Sequence, residues 1–206
     1  MKKILAIVLA LAVVLVCFAA CGNKAETETP TDAVETTVAD ENNGDVAEDL
    51  GLDTVGLLSA IFATYTEENS FPIGGGDEAN MSYEGPAKYD VSLVEELNVV
   101  AHLPATQNAN VEEAANVMNM MNANSFTGAA YLLKDGTDVA AFAADFKADL
   151  DNAHWMCGFP EKFVVIQSGK YVITAYGLGA NIDYFKTQAA SALAGSTVVL
   201  EGDIVA

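Results

Sequence analysis

The sequence predicts an α+β fold for residues 50–206, an antiparallel sheet with helices packed on one face. Three observations lead there. "KFVVIQ" and "YVITAYG" are runs of β-branched and aromatic residues joined by the turn "SGK", which reads as a hairpin. One stretch before this hairpin and one after it carry apolar residues at helical spacing. A further strand candidate stands at each end, so the order is β-α-β-β-α-β.

Taken in chain order, "LDTVGLLSAIFATYTEEN" places Val55, Leu58, Ile61, Phe62 and Tyr65 on one helical face, with Asp53 as N-cap. "SFPIGGGDEANMSYEGPAKYD" is rich in Gly and Pro and reads as a long irregular loop. "VSLVEELNVVAHLP" mixes helical and strand character. "NVEEAANVMNMMNANSF" predicts a short helix opening at Asn110, with Glu112 and Glu113 in its first turn. "SFTGAAYLL" is a strand, and "TDVAAFAADFKADLDNAHWM" a helix capped by Thr137 with Val139, Phe142, Phe146 and Leu150 inward. After the hairpin, "ANIDYFKTQAASALAG" is a helix ending at Gly195 and "STVVLEG" the last strand. Over residues 125–201 this is the split pattern of ferredoxin-like sandwiches.

Residues 1–20 stand apart. "MKKILAIVLALAVVLVCFAAC" has a positive start at Lys2 and Lys3 followed by an unbroken apolar or small run, the marks of a secretory signal. A run of this length would also just span a bilayer as an uncleaved anchor. Ala19 and Ala20 ahead of Cys21 and Gly22 favour cleavage. "FAAC-GN" resembles a bacterial lipobox, with Phe18 where that pattern usually has Leu. The resemblance implies that Cys21 becomes the first residue of the mature chain and carries the lipid, such as palmitate. Two or three acyl chains on one Cys anchor durably, where a single chain holds only marginally. The expected location is therefore extracytoplasmic, on a bacterial membrane.

Residues 21–49 follow as the lipidated Cys and an acidic stalk. From 22 to 49, nine of 28 residues are acidic, one is Lys and none is aromatic, so a disordered, self-repelling stalk is predicted. "DENNGD" is not an EF-hand loop: counted from Asp40, position six is Asp45 and position twelve is Gly51. The chain has no Arg. Without the leader, 7 Lys face 29 acidic residues, a net charge near −22. That balance excludes nucleic acid as a partner and argues against direct adsorption to anionic lipid.

Several motifs imitate chemistry. "YGLGANI" at 176–182, with Glu201 further on, imitates a dinucleotide fingerprint, but Ile182 stands where the third Gly belongs. "IGGGDE" at 73–78 lacks the Gly-Lys-Ser/Thr ending of a phosphate loop. No cofactor is expected. The adjacent pairs Glu67–Glu68, Glu95–Glu96 and Glu112–Glu113 read as solvated faces. Asp145 and Asp149 lie one helical turn apart, where they are candidates to share a hard cation such as calcium, or else read as a solvated helix face. Met118, Met120 and Met121 read as core filling or as a partner surface.

"NAHWMCGFPEK" holds the only Trp, Trp155, with His154 and Cys157 three residues apart. A Cys–His nucleophile needs an imidazole to take the thiol proton and usually a third group to orient it. Gly158 and Pro160 make the same stretch read as a capped helix end, with His154 in the last turn. "MNMMNANSFTGAAYLL", "WMCGFPEKFVV" and "YVITAYG…IDYF" resemble, as an ordered set over about residues 110–186, a group of small bacterial lipoproteins. That resemblance implies export and lipidation and no activity. Three functions stay open: a non-catalytic surface domain binding a protein, glycan or small solute; a thiol-dependent or other hydrolase using Cys157 with His154 or His102; and a calcium-dependent binding protein.

Overall fold

The computed structural model describes residues 51–156 and 158–205. The leader, Cys21 and the acidic stalk expected at residues 1–49 lie outside them, as does Cys157. Among the described residues no helix is long and apolar enough to cross a membrane.

Among the described residues four α-helices, α1 (Thr54–Phe62), α2 (Val94–Val100), α3 (Val139–Asp151) and α4 (Gly179–Ala192), accompany one antiparallel sheet. Its strands are β1 (Ile73–Gly74), β2 (Ala87–Tyr89), β3 (Val111–Asn119), β4 (Phe126–Leu133), β5 (Lys162–Ser168), β6 (Tyr171–Gly177) and β7 (Thr197–Asp203). The order is β1-β3-β4-β6-β5-β7, with β2 sharing the outer edge of β3. The α+β class and the antiparallel sheet are those the sequence predicts. The β5–β6 hairpin pairs Ile166 with Ile173 and Val164 with Ala175, and Asp53 caps α1 by accepting the Gly56 N–H at 2.7 Å.

The helices, however, cover both faces of the sheet. Phe163 and Val165 of β5 enter one core with Phe142, Phe146 and Leu150 of α3 and Leu97 of α2. The alternate residues Val164 and Ile166 enter a second core with Leu57, Leu58 and Ile61 of α1 and Ile182 and Phe185 of α4. Period-two alternation across a strand buried on both sides requires this division. Each fully buried Leu or Phe contributes roughly 1.5–3 kcal/mol of transfer free energy.

The departure from a one-faced, ferredoxin-like layout follows from where β7 pairs. In that layout the last strand would lie beside β4, but β3 occupies that edge, and β7 pairs with β5 instead. The crossovers β4-α3-β5 and β6-α4-β7 then both step two places in the same direction, from strands of opposite sense. Right-handed crossovers stepping the same way from antiparallel starts place their helices on opposite faces.

Three local expectations also change. Residues 111–119 form strand β3, not a helix: Ala114 feeds one core and Ala115 and Val117 the other, so pairing on both sides overrides the helix propensity of Ala, Glu and Met. Asp138, rather than Thr137, caps α3, its carboxylate accepting the Ala141 N–H at 3.0 Å. That helix stops at Asp151, so His154 and Gly158 lie beyond its end and not in its last turn.

Candidate functional site

On the α2/α3 face polar side chains bridge α3 to the segment that follows α2. At the end of α2 the N–H groups of Ala101 and Leu103 both return to the Leu97 carbonyl, at 2.9 and 3.2 Å. Between them His102 takes φ +53°, the one non-glycine residue with positive φ among the described residues. This is the left-handed position after a helix, where Gly or Asn is usual. The turn is held by the Asn98 amide, which donates to the Leu103 carbonyl at 2.6 Å and to Asn108 Oδ1 at 2.8 Å.

This geometry carries the imidazole to α3, where His102 Nδ1 and Asp149 Oδ2 are 2.7 Å apart. One turn earlier, Asp145 Oδ2 accepts from the Thr106 hydroxyl and the Gln107 amide, each at 2.7 Å. Those two bonds hold the Asp145 carboxyl below the usual carboxylate range. The carboxylates expected to share a cation are thus engaged separately by the 102–107 segment. No group of three or more His, Cys, Asp or Glu side chains suited to a metal exists among the described residues.

Beyond the Asn152 cap the chain is irregular, and Asn124 pins it by donating from Nδ2 to the Met156 carbonyl at 2.7 Å and the Gly158 carbonyl at 3.1 Å. Trp155 then lies against His102, with ring centres 4.8 Å apart, and against Tyr176 at 5.4 Å. His102 and Tyr176 meet edge to face at 5.2 Å. Burial, with the Asp149 charge adding to it, pushes the Tyr176 phenol up to about 12. The Trp155 indole N–H, closed off from solvent, has no hydrogen-bond partner.

These groups line a groove of about 670 Å³ together with Asn98, Asn124, Met118 and His154. Val99 and Met156, 78 % and 79 % exposed, are also part of its lining. His102 and His154 therefore belong to one groove, although they are distant in sequence. Asp149 was legible as a candidate ligand, but its partnership with His102 was not. Asn98, Asn124 and Tyr176 carried no local signal of a site.

The imitated motifs resolve into packing. In "YGLGANI", the Gly179 N–H at the start of α4 donates to Glu161 Oε2 at 2.7 Å, so the chain's own carboxylate fills the anion position at that helix end. Gly177 is required there: a Cβ would fall 2.3 Å from the Ser125 carbonyl oxygen. Glu201 pairs with Lys186 at 2.6 Å. In "IGGGDE", a Cβ on Gly75 would fall 2.1 Å from the Asn116 carbonyl oxygen. Asp77, only 3 % exposed, organises the loop by accepting the N–H groups of Ala79, Asn80 and Asp90 and the Asn80 amide. Burial pushes its carboxyl up, but those bonds outweigh it and hold it below the ordinary range.

Comparison with family models, with curated proteins and with solved structures finds no match to this chain.

Proposed function

We propose that this chain is an extracytoplasmic lipoprotein, anchored to a bacterial membrane through Cys21, whose domain binds a small solute in the His102–Trp155–Tyr176 groove without transforming it. The observation that carries the binding assignment is the groove itself. Its volume of about 670 Å³ falls within the range of small-molecule sites, and it combines apolar walls with a few polar groups held in fixed positions. The anchor rests on the leader and on the "FAAC-GN" resemblance.

Both parts are testable on the full chain. Trp155 is the sole tryptophan, so excitation at its absorption edge reports on the groove alone. Detergent-solubilised full chain titrated with a panel of amines, sugars, amino acids and small peptides is expected to show a saturable change in Trp155 emission with at least one class. Emission unchanged across the panel would overturn the binding assignment. For the anchor, C21S is expected to move the protein from the membrane fraction to the soluble fraction and to abolish labelling by radioactive palmitate. Retained labelling in that variant would sink it.

A second reading, a thiol-dependent hydrolase, is favoured by one observation: Asp149 orients the His102 imidazole in an open groove, as the third member of a Cys–His–acid set would. Its nucleophile would be Cys157. Ester or thioester hydrolysis lost in both C157S and H102A supports it, and hydrolysis unaffected by C157S ends it.

A further inference from the structure

We infer that the ligand of the groove is a small organic cation, an amine carried on an apolar or aromatic body. This rests on the solute-binding reading of the same groove and names the chemistry it selects. Asp149 supplies the negative charge: its side chain is 38 % exposed at the groove, while His102, its partner, is 16 % exposed. Among the described residues no Lys lines the groove, and the other titratable groups in its walls are His102, His154 and the Tyr176 phenol. Asp149 is the one carboxylate among the described lining residues. Lys147, the nearest cation in sequence on α3, is engaged with Asp151 one turn on and does not neutralise it.

The apolar walls suit the same ligand. The Trp155 ring, backed by His102 and Tyr176, offers an aromatic surface to which a cation is attracted through the ring quadrupole. Met118 and Met156 add polarisable thioethers that adapt to an irregular apolar body. Beyond the groove, the formal charge of −20 draws cations toward the protein and repels anions. An anionic ligand would meet the Asp149 carboxylate and, among the described lining residues, no Lys to hold it. A neutral ligand would leave that carboxylate partly desolvated and without a new partner.

The test uses three probes of one shape on the detergent-solubilised full chain at pH 8, read by Trp155 emission. These are 2-phenylethylamine, 2-phenylethanol and 3-phenylpropionate. The amine is expected to bind at least tenfold more tightly than the alcohol, and the carboxylate more weakly than either. D149N is expected to remove that tenfold preference. E95Q, which removes an exposed charge from α2 outside the groove lining, is expected to leave affinity within twofold. D149S, a second uncharged replacement, provides the other route if D149N does not fold: it is expected to remove the preference as well.

Equal binding of amine and alcohol would overturn the cation assignment and leave the groove as a solute site. An amine preference lost equally in E95Q would also overturn it, since the general field and not Asp149 would then be responsible. If neither these probes nor the wider panel change Trp155 emission, both assignments fall.

Discussion

The two faces of the sheet bury similar materials to different ends. On the α1/α4 face the helices pack directly on one another and on a run of phenylalanines. Phe126 stands at the middle, 5.6 Å from Phe62, 5.4 Å from Phe71 and 5.3 Å from Phe185 between ring centres. Those four rings have no polar atom to satisfy, and the hollow beside them, at Tyr65, Phe71 and Tyr184, is smaller, about 200 Å³. On the α2/α3 face the corresponding aromatic group is His102, Trp155 and Tyr176, each with a polar atom, and side-chain hydrogen bonds bridge α3 to the segment after α2. That face stays partly open. One sheet thus divides its labour: mainly hydrocarbon contacts, with Thr54 donating to Glu113 at the start of α1, fix the scaffold on one side, and polar bridges hold a groove on the other.

The largest test of this contrast is F126A. A fully buried ring at the junction of three others cannot be replaced by collapse of its neighbours, and about 3–5 kcal/mol of stability should be lost in chemical denaturation. Its counterpart W155F keeps an aromatic body and removes an indole N–H that has no partner, so stability should change by less than about 1 kcal/mol. Binding to the groove in W155F is then read by calorimetry, the optical signal being gone. A loss from W155F as large as that from F126A would break the contrast.

A smaller effect separates the faces by pH. The Asp145 carboxyl is held below its ordinary range by Thr106 and Gln107, so its bridge contributes fully above the usual aspartate value near 4 and is lost as pH falls through the depressed one. Hydrogen exchange should therefore show amides of the 102–110 segment losing protection in acid before those of α1 and α4. In D145N that early acid step should disappear. Equal loss of protection on both faces would count against polar bridging. The smallest expected change is in H102G, where relief of the left-handed backbone offsets lost ring packing to within about 1 kcal/mol.

What could be read from the sequence was what is local. The β5–β6 hairpin, the apolar faces of α3 and α4 and the Asp53 cap depend on neighbours within one or two turns of chain, and each appears where the pattern puts it. Strand β3 was not legible because "VEEAANVM" has the composition of a helix and becomes a strand only between β4 and the β1/β2 edge. The two-faced layout turns on which edge β7 joins, which no single segment records. The site is legible only in parts. Asp149, His102 and His154 each stand out as residue types, yet the first two are 47 positions apart and meet through a backbone turn that sequence patterning does not reveal.

The ends of the sheet carry a consequence for life at high local concentration. An open strand edge is a template on which another copy can pair. Here one edge is divided between β1 and β2, two and three residues long, and separated by the glycine-bearing loop that Asp77 folds up. The opposite edge, β7, is longer, but it has a register shift opposite Val165 and Ile166 and carries Glu201 and Asp203 at exposed positions. A second copy approaching either edge meets too little strand to pair with or two carboxylates facing its own. Both borders thus disfavour edge-to-edge pairing of copies, by interruption at one and by charge at the other.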